Sequence, residues 1–349
     1  MKEVDYLIVG CGLAGISFTE EVKQNNGSVL VFDNQSQQSS TVAGGVYNPV
    51  VLKRFTAVWK VKEQLAIALP LYHKLETRLG VKLDYTTPVY RRFLSSEEQN
   101  DWFTASDKPN LGEYISTQLI KNSTSGIDAD FGYGEVLESG RIDTAQLISA
   151  YKAELKLHGE LEESAFQYQD LQITDSGFKY QNVKAKHLIF AEGYGILNNP
   201  YLNTLPMVGA KGELLVIHAP DLKMEFLLKA SLFLIPLGDD LYKVGATYQW
   251  TDKTNAVTEA GKTELLTKLN TFLKCDFTVV EHLAGIRPTI KDRRPIVGVH
   301  PEYKNMYVLN GLGTRGVLIG PYVSKQLYNA ITHGVDLDSE INIQRFIKA

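Results

Sequence analysis

Residues 5–22 read DYLIVGCGLAGISFTEEV. Tyr6 to Val9 make a short, mostly apolar run. Glycines follow at Gly10, Gly12 and Gly15, and Ala14, Phe18 and Val22 recur every four residues. The run reads as a strand and the recurrence as one face of a helix, with a tight turn between them. A helix amino terminus carries unpaired N–H groups and the positive end of the helix dipole, so such a turn is built to hold an anion. Gly10 makes the turn, Gly12 lets backbone approach the ligand, and Gly15 lets the helix lie close to the strand, with Leu13 and Ala14 opening the helix beside them.

Working outward, Val29–Phe32 reads as a second strand and ends at Asp33, followed by Asn34. Asp33 lies 18 residues after Gly15, where an acid accepts hydrogen bonds from a ribose diol. Strand, glycine turn, helix, strand and acid together describe a dinucleotide site. Cys11, inside the turn, reads as a small packing residue rather than a redox centre. Beyond Asp33 the chain turns small and polar and reaches a glycine pair, Gly44–Gly45, between Ala43 and Val46. A nicotinamide does not need this pair. A flavin is larger, and its rings must lie against backbone with little side chain in the way. Near the end, GLGTRGVLIGP (311–321) supplies a third glycine-rich turn opening a helix, with Gly311, Gly313, Thr314, Arg315 and Gly316 in the turn. Its N–H groups suit the negative charge that gathers at a flavin's N1–C2=O edge on reduction.

The 349-residue chain has room for two domains, and 44% apolar content supports a real core. The formal net charge of −4 offers no long-range attraction to nucleic acid or an anionic membrane, although a local basic patch stays possible. Cys11 and Cys275 have no partner at metal or redox spacing, and the seven histidines show no ligand spacing, so a reduced cytoplasmic protein without a metal is expected. The first apolar stretch flows into the glycine turn, so it reads as a strand and not as a leader. No stretch approaches a membrane span.

A helix is expected over 59–79, kinked or divided at Pro70. Residues 81–139 look irregular. Asp143 and Gln146 read as a capping box for a helix ending at Gly159. HLIFAEGYG (187–195) reads as a buried strand running into a turn. From about 206 the chain is strand-rich, with a hairpin turn at Gly238–Asp240 and one helix near 259–274. The end returns to strand, glycine turn and helix, with Pro321 expected within the first turn or so of that helix.

In this order the chain carries VGCGLAG (9–15) with Asp33, AGGVYNP (43–49), RIDTAQLISAY (141–151), IFAEGYG (189–195), VGATY (244–248), GIRPTIKDRRPIVG (285–298) and NGLGTRGVLIGP (310–321). It thereby resembles the D-amino acid oxidase superfamily, in pattern close to glycine and sarcosine oxidases. It is also similar to the oxidase half of the bifunctional enzyme that matures methylaminomethyl-thiouridine in tRNA. The resemblance implies a Rossmann-like α/β domain binding FAD, formed from 1–80, 140–205 and 286–349. It implies an α+β substrate domain with a mostly antiparallel sheet, formed from 81–139 and 206–285. It places Ala191, Glu192 and Gly193 on FAD and the backbone near Phe166 against adenine. Some relatives attach FAD through a cysteine near the position of Arg287. This chain has none there, so FAD is expected to be non-covalent.

The resemblance sets Arg287 beside the flavin as a clamp for a substrate carboxylate. The alternative is a structural pairing with Asp292 or Glu281. Tyr248 matches a substrate-facing position, or is a half-buried sheet tyrosine. Phe233 stands where several relatives have a substrate-binding tyrosine, which favours an amine bulkier or more apolar than glycine. Lys53 and Arg54 are placed to reach the flavin face, where a cation binds a second acidic group or assists oxygen chemistry. Otherwise they are solvated loop charges. Arg315 is expected to hold the glycine turn or the FAD edge.

The implied reaction moves a hydride from the carbon bearing a neutral amine to flavin N5, leaving an imine that hydrolyses. The partners are a small amine or amino acid, and O2 or another electron acceptor. Two alternatives remain: an oxidase acting on a tRNA wobble uridine, and a non-catalytic flavin-bound interaction protein. An NAD-dependent dehydrogenase leaves the second and third glycine turns without a purpose.

Overall fold

A computed structural model of the chain describes residues 1–347; Lys348 and Ala349, the end of the expected 286–349 segment, lie outside the described residues. The first strand is Lys2–Val9, longer at its start than its apolar run suggests. It sits between Val29–Phe32 and Val183–Phe190, parallel to both. Leu161–Glu162 extends the sheet on one side. On the other, Val183–Phe190 divides its free edge. Its first half pairs antiparallel with Gly177–Tyr180, and its second half pairs parallel with Met306–Asn310.

Alternation along the first strand sets the layers. Tyr6 and Ile8 face a core shared with the helices Leu13–Gln24, Val61–Leu79, Thr144–Leu157 and Gly316–His333. Leu7 and Val9 face a second core with Phe166, Phe178 and Tyr180. Sheets buried on both faces need such continuous apolar runs.

The second sheet runs, edge to edge, Thr278–Arg287, Ala210–His218, Leu241–Gly245, Phe233–Gly238, Leu227–Lys229, Val89–Arg92, Tyr133–Val136 and Ile115–Ile120. All its pairings are antiparallel except that of Leu227–Lys229 with Val89–Arg92. The hairpin between Phe233–Gly238 and Leu241–Gly245 turns at Asp239 and Asp240, both with φ near +50°. One face, with Leu215, Ile217, Leu234 and Val244, packs against Leu265 and Leu269 of the helix Glu259–Leu269. The strand Thr278–Arg287 crosses the domain boundary expected at 285/286.

Four local expectations need correction. The helix Val61–Leu79 runs unbroken through Pro70. Pro70 and Ala66, whose carbonyl loses its donor, are both exposed, so water can serve that carbonyl. The capping box is one-sided: Asp143 accepts from the Gln146 N–H at 3.0 Å, but its own N–H goes to the Leu83 carbonyl. Pro321 is the sixth residue of its helix, beyond the first turn. The carbonyl it leaves free, Val317, accepts from the buried Tyr72 hydroxyl at 2.8 Å. Finally, the stretch 81–139 contains a helix, Ser96–Ser106, whose Ser95 side chain accepts from the Glu98 N–H.

Candidate functional site

A cavity of about 980 Å³ lies between the carboxyl ends of the parallel strands and the inner face of the second sheet. At its floor, Gly10 donates to the Phe32 carbonyl and Ala191 to that of Val9, each at 2.8 Å, drawing three strand ends together. Gly10 has φ +104°, and a Cβ there would lie 2.4 Å from the Ala191 oxygen. A Cβ at Gly15 would lie 1.9 Å from the Gly10 oxygen. Gly15 thus stands behind the turn and lets the helix approach, and it does not line the cavity.

Asp33 lines the cavity but already holds the turn. Its carboxylate accepts from the Cys11 N–H at 2.7 Å and the Gln35 N–H at 2.6 Å, and Lys152 lies 3.3 Å away. Ser40 accepts from the Leu13 N–H. Among the described residues nothing accepts the N–H of Gly12 or Ala14, both on the cavity wall. These are free donors at a helix amino terminus, which suits a pyrophosphate.

Asn34, Phe166 and Gly193 line the same end. Phe166 stacks on Tyr180 with centroids 4.2 Å apart. Glu192 accepts from the Tyr168 hydroxyl and, at 2.7 Å, from Asn199. Burial pushes its carboxyl up to about 7.

Further along, Ala43, Gly44, Gly45 and Val46 form one wall. Gly45 has φ +66°, and a Cβ on it would strike the Ile142 oxygen at 1.8 Å, so only glycine fits. The third turn lies opposite. Gly311 packs on Ile290 behind the cavity, whereas Gly313, Thr314, Arg315 and Gly316 line it. The N–H groups of Thr314 and Gly316 have no acceptor among the described residues. Two glycine-lined walls and two sets of free donors fit an elongated, doubly anionic cofactor with a flat ring at one end.

Arg287 projects into the cavity from the end of its strand. Its guanidinium carbon is 4.4 Å from the centre of the Tyr248 ring, and it donates to the Thr247 carbonyl at 3.3 Å. The side chain crosses Gly212, where a Cβ would come within 2.1 Å of Nη2. Asp292 is taken by Arg345 at 2.8 Å, and Glu281 is exposed. No carboxylate among the described residues pairs with Arg287, and burial lowers its pKa. Tyr248 is 53% exposed and forms the cavity mouth. Arg315 donates to the Asn48 carbonyl at 3.4 Å and is also without a carboxylate, its pKa pushed down to about 10 by burial.

Lys53 and Arg54 stand outside this site. The two-residue ladder of Val50–Val51 with Thr56–Ala57 makes a hairpin, and both cations sit exposed at its tip, off the cavity wall.

A family model described as FAD dependent oxidoreductase (DAO) matches residues 5–329. The chain belongs to this family. FAD, when bound, supplies the two-electron acceptor, and this cavity has the cradle for it. The glycine oxidase of Pseudomonas putida is 23% identical over 95% of this chain and 94% of its own length. The tRNA 5-methylaminomethyl-2-thiouridine biosynthesis bifunctional protein MnmC of Azoarcus sp. is 28% identical over 37% of this chain, and the match spans 24% of that protein. The matches to this and two other MnmC relatives span 24% to 38% of those proteins' length. Among solved structures, glycine oxidase from Geobacillus kaustophilus superposes with a TM-score of 0.81 at 18% identity, covering all of both chains. Iminodiacetate oxidase from Chelativorans sp. BNC1 gives 0.77 at 18%, covering 96% of this chain and 98% of its own.

Sequence reasoning missed several residues of this DAO-family site. Ser40, Lys152 and Tyr168 act through Leu13, Asp33 and Glu192, contacts across 24 to 119 positions that no local pattern reveals. Lys229 also lines the cavity. Its place on the inner face follows from strand alternation with Phe233 once their pairing is known. Among the described residues no cluster of His, Cys, Asp and Glu has the arrangement of a metal site. No described helix is long and apolar enough to cross a membrane.

Proposed function

We propose that the protein oxidises an amino acid or another amine bearing a carboxylate, removing a hydride from the carbon next to the nitrogen. The observation that carries this reading is Arg287, a half-buried guanidinium with no acid of its own, facing the cavity beside Tyr248. A guanidinium meets a carboxylate through two parallel charge-assisted bonds, which fixes the orientation of the neighbouring carbon. Positioning is most of what a hydride transfer requires. Gly12, Ala14 and Asp33 hold the dinucleotide portion, and the walls at Gly44–Gly45 and Gly313–Gly316 hold the ring. Thr247 and Tyr248 keep the guanidinium aimed inward. The imine product hydrolyses, and O2 or another acceptor removes the electrons. The names of relatives, glycine oxidase and iminodiacetate oxidase, support an amino-compound substrate.

The test is anaerobic bleaching of the FAD-loaded protein by a panel of N-methyl amino acids, D-amino acids and proline analogues. At least one is expected to bleach it, and Arg287→Ala is expected to keep its flavin while losing the reaction. A panel that leaves the flavin oxidised, or an Arg287→Ala protein that reacts as the parent does, overturns the reading.

The MnmC relatives favour a second reading, oxidation of an aminomethyl group on a tRNA wobble uridine. Modified-nucleoside profiles of a deletion strain separate the two, since only this reading expects an unprocessed wobble base.

A further inference from the structure

The cavity contains a cation that the proposed chemistry does not use. Lys229 ends its strand and lines the same wall as Phe233. Across the sheet Leu214 pairs with Gly245, Gly245 with Phe233, and Phe233 with Lys229. Directly paired residues point to one face of a sheet. Arg287 pairs with Ala210, four residues before Leu214 on the same strand, so it shares that face. The Lys229 ammonium lies 5.0 Å from the centre of the Phe233 ring, and its hydrogen bonding is limited to a 3.5 Å contact with the Ser231 carbonyl.

Its charged neighbours are neutralised and it is not. Arg91 pairs with Glu98, and Lys268 pairs with Glu264 at 2.5 Å. No carboxylate among the described residues pairs with Lys229, and burial with Arg91 and Lys268 nearby pushes its pKa down to about 8. A half-buried ammonium without a counter-ion weakens a fold. On a ligand cavity wall its use is to receive an anion.

We propose that Lys229 is a distal anion subsite: the substrate is elongated, one carboxylate held at Arg287, an apolar stem on Phe233, and a second oxyanion, carboxylate or phosphate, held at Lys229. This rests on the function proposed above. The strands bearing the two cations are four steps apart in the sheet, roughly 19 Å between backbones at about 4.8 Å per step. Even after both side chains reach inward, glycine cannot span that gap. The second acidic group that Lys53 and Arg54 were expected to meet is thereby assigned to a residue that does line the cavity.

The test reads binding without turnover. The FAD-loaded protein is titrated with adipate, suberate and sebacate, and with hexanoate, octanoate and decanoate, following the flavin absorption spectrum and heat by calorimetry. At least one diacid is expected to bind about tenfold or more tighter than its monoacid. In Lys229→Met that preference disappears while monoacid affinity stays the same, and Lys229→Arg retains it. The ω-phosphono analogue of suberate distinguishes the source of the oxyanion: tighter binding than suberate indicates phosphate, and weaker binding indicates carboxylate. Thermal melts separate a structural role, which would lower the midpoint of Lys229→Met, from a subsite, which leaves it level or raised. The proposal is overturned by the absence of any diacid preference, or by a preference that survives in Lys229→Met. Failure of the amine-oxidation reading shows up separately, as an amine panel that never bleaches the flavin.

Discussion

Arg287 and Glu192 carry the sharpest consequences at the residue scale. The Arg287 side chain lies across Gly212, so Gly212→Ala should push the guanidinium aside. We expect kcat/KM for the active amine to fall about a hundredfold, on the scale of a lost charge-assisted contact, with FAD retained. Lys53→Ala and Arg54→Ala, at an exposed hairpin tip, should leave kcat/KM unchanged in the same assay. Glu192 makes a pH prediction. Its carboxyl rises from 4.5 to about 7 in the fold, so the folded protein keeps a proton that the unfolded chain has released. The stability this contributes is complete below 4.5 and is lost as pH rises through 7, about 3 kcal/mol in all. Glu192→Gln keeps a carbonyl for Asn199 and carries no charge. Denaturant titrations from pH 5 to 8 should show the parent losing stability relative to Glu192→Gln; parallel curves would show that Glu192 does not titrate there.

Among the elements, the helix Gly316–His333 shows how one side chain can complete another's backbone. Pro321 has no N–H for the Val317 carbonyl, and the buried Tyr72 hydroxyl takes its place. Tyr72→Phe should cost about 1–3 kcal/mol, the price of an unpaired buried carbonyl. Pro321→Ala restores a backbone donor, so the double variant should lose less than the sum of the single losses. Additive losses in urea titrations would mean that the two are uncoupled. The helix Ser96–Ser106 is within reach of the sequence, because Ser95 and Glu98 have capping-box spacing at its start. Its mostly polar exterior obscures it, since only Trp102, closed over by Phe93, and Ala105 are buried. Pro70 taught the opposite lesson: a proline on an exposed face leaves a helix whole, and exposure is not visible in the chain order.

For the whole molecule, the cavity takes walls from both sheets, so a ligand in it links them. FAD at a hundred times its dissociation constant should add about 2.7 kcal/mol to unfolding. Hydrogen exchange should slow both in Leu13–Gln24 and in the strands Ala210–His218 and Leu241–Gly245. Slowing confined to the parallel sheet would mean that the second sheet does not close on the cofactor. The chain by itself determined the opening strand–helix–strand unit, the glycine turn with Asp33, and the two later glycine turns. Each is a local event in which strand period, helix period and backbone freedom are written within about thirty residues. Only the tertiary structure decided which cations face the cavity. Lys53 and Arg54 stand near the right motif and point to water, whereas Lys229 and Arg287 are 58 positions apart and share one face of a sheet. Side-chain direction depends on strand pairing and on where a hairpin places its tip. Those follow from long-range packing, which local spacing does not encode.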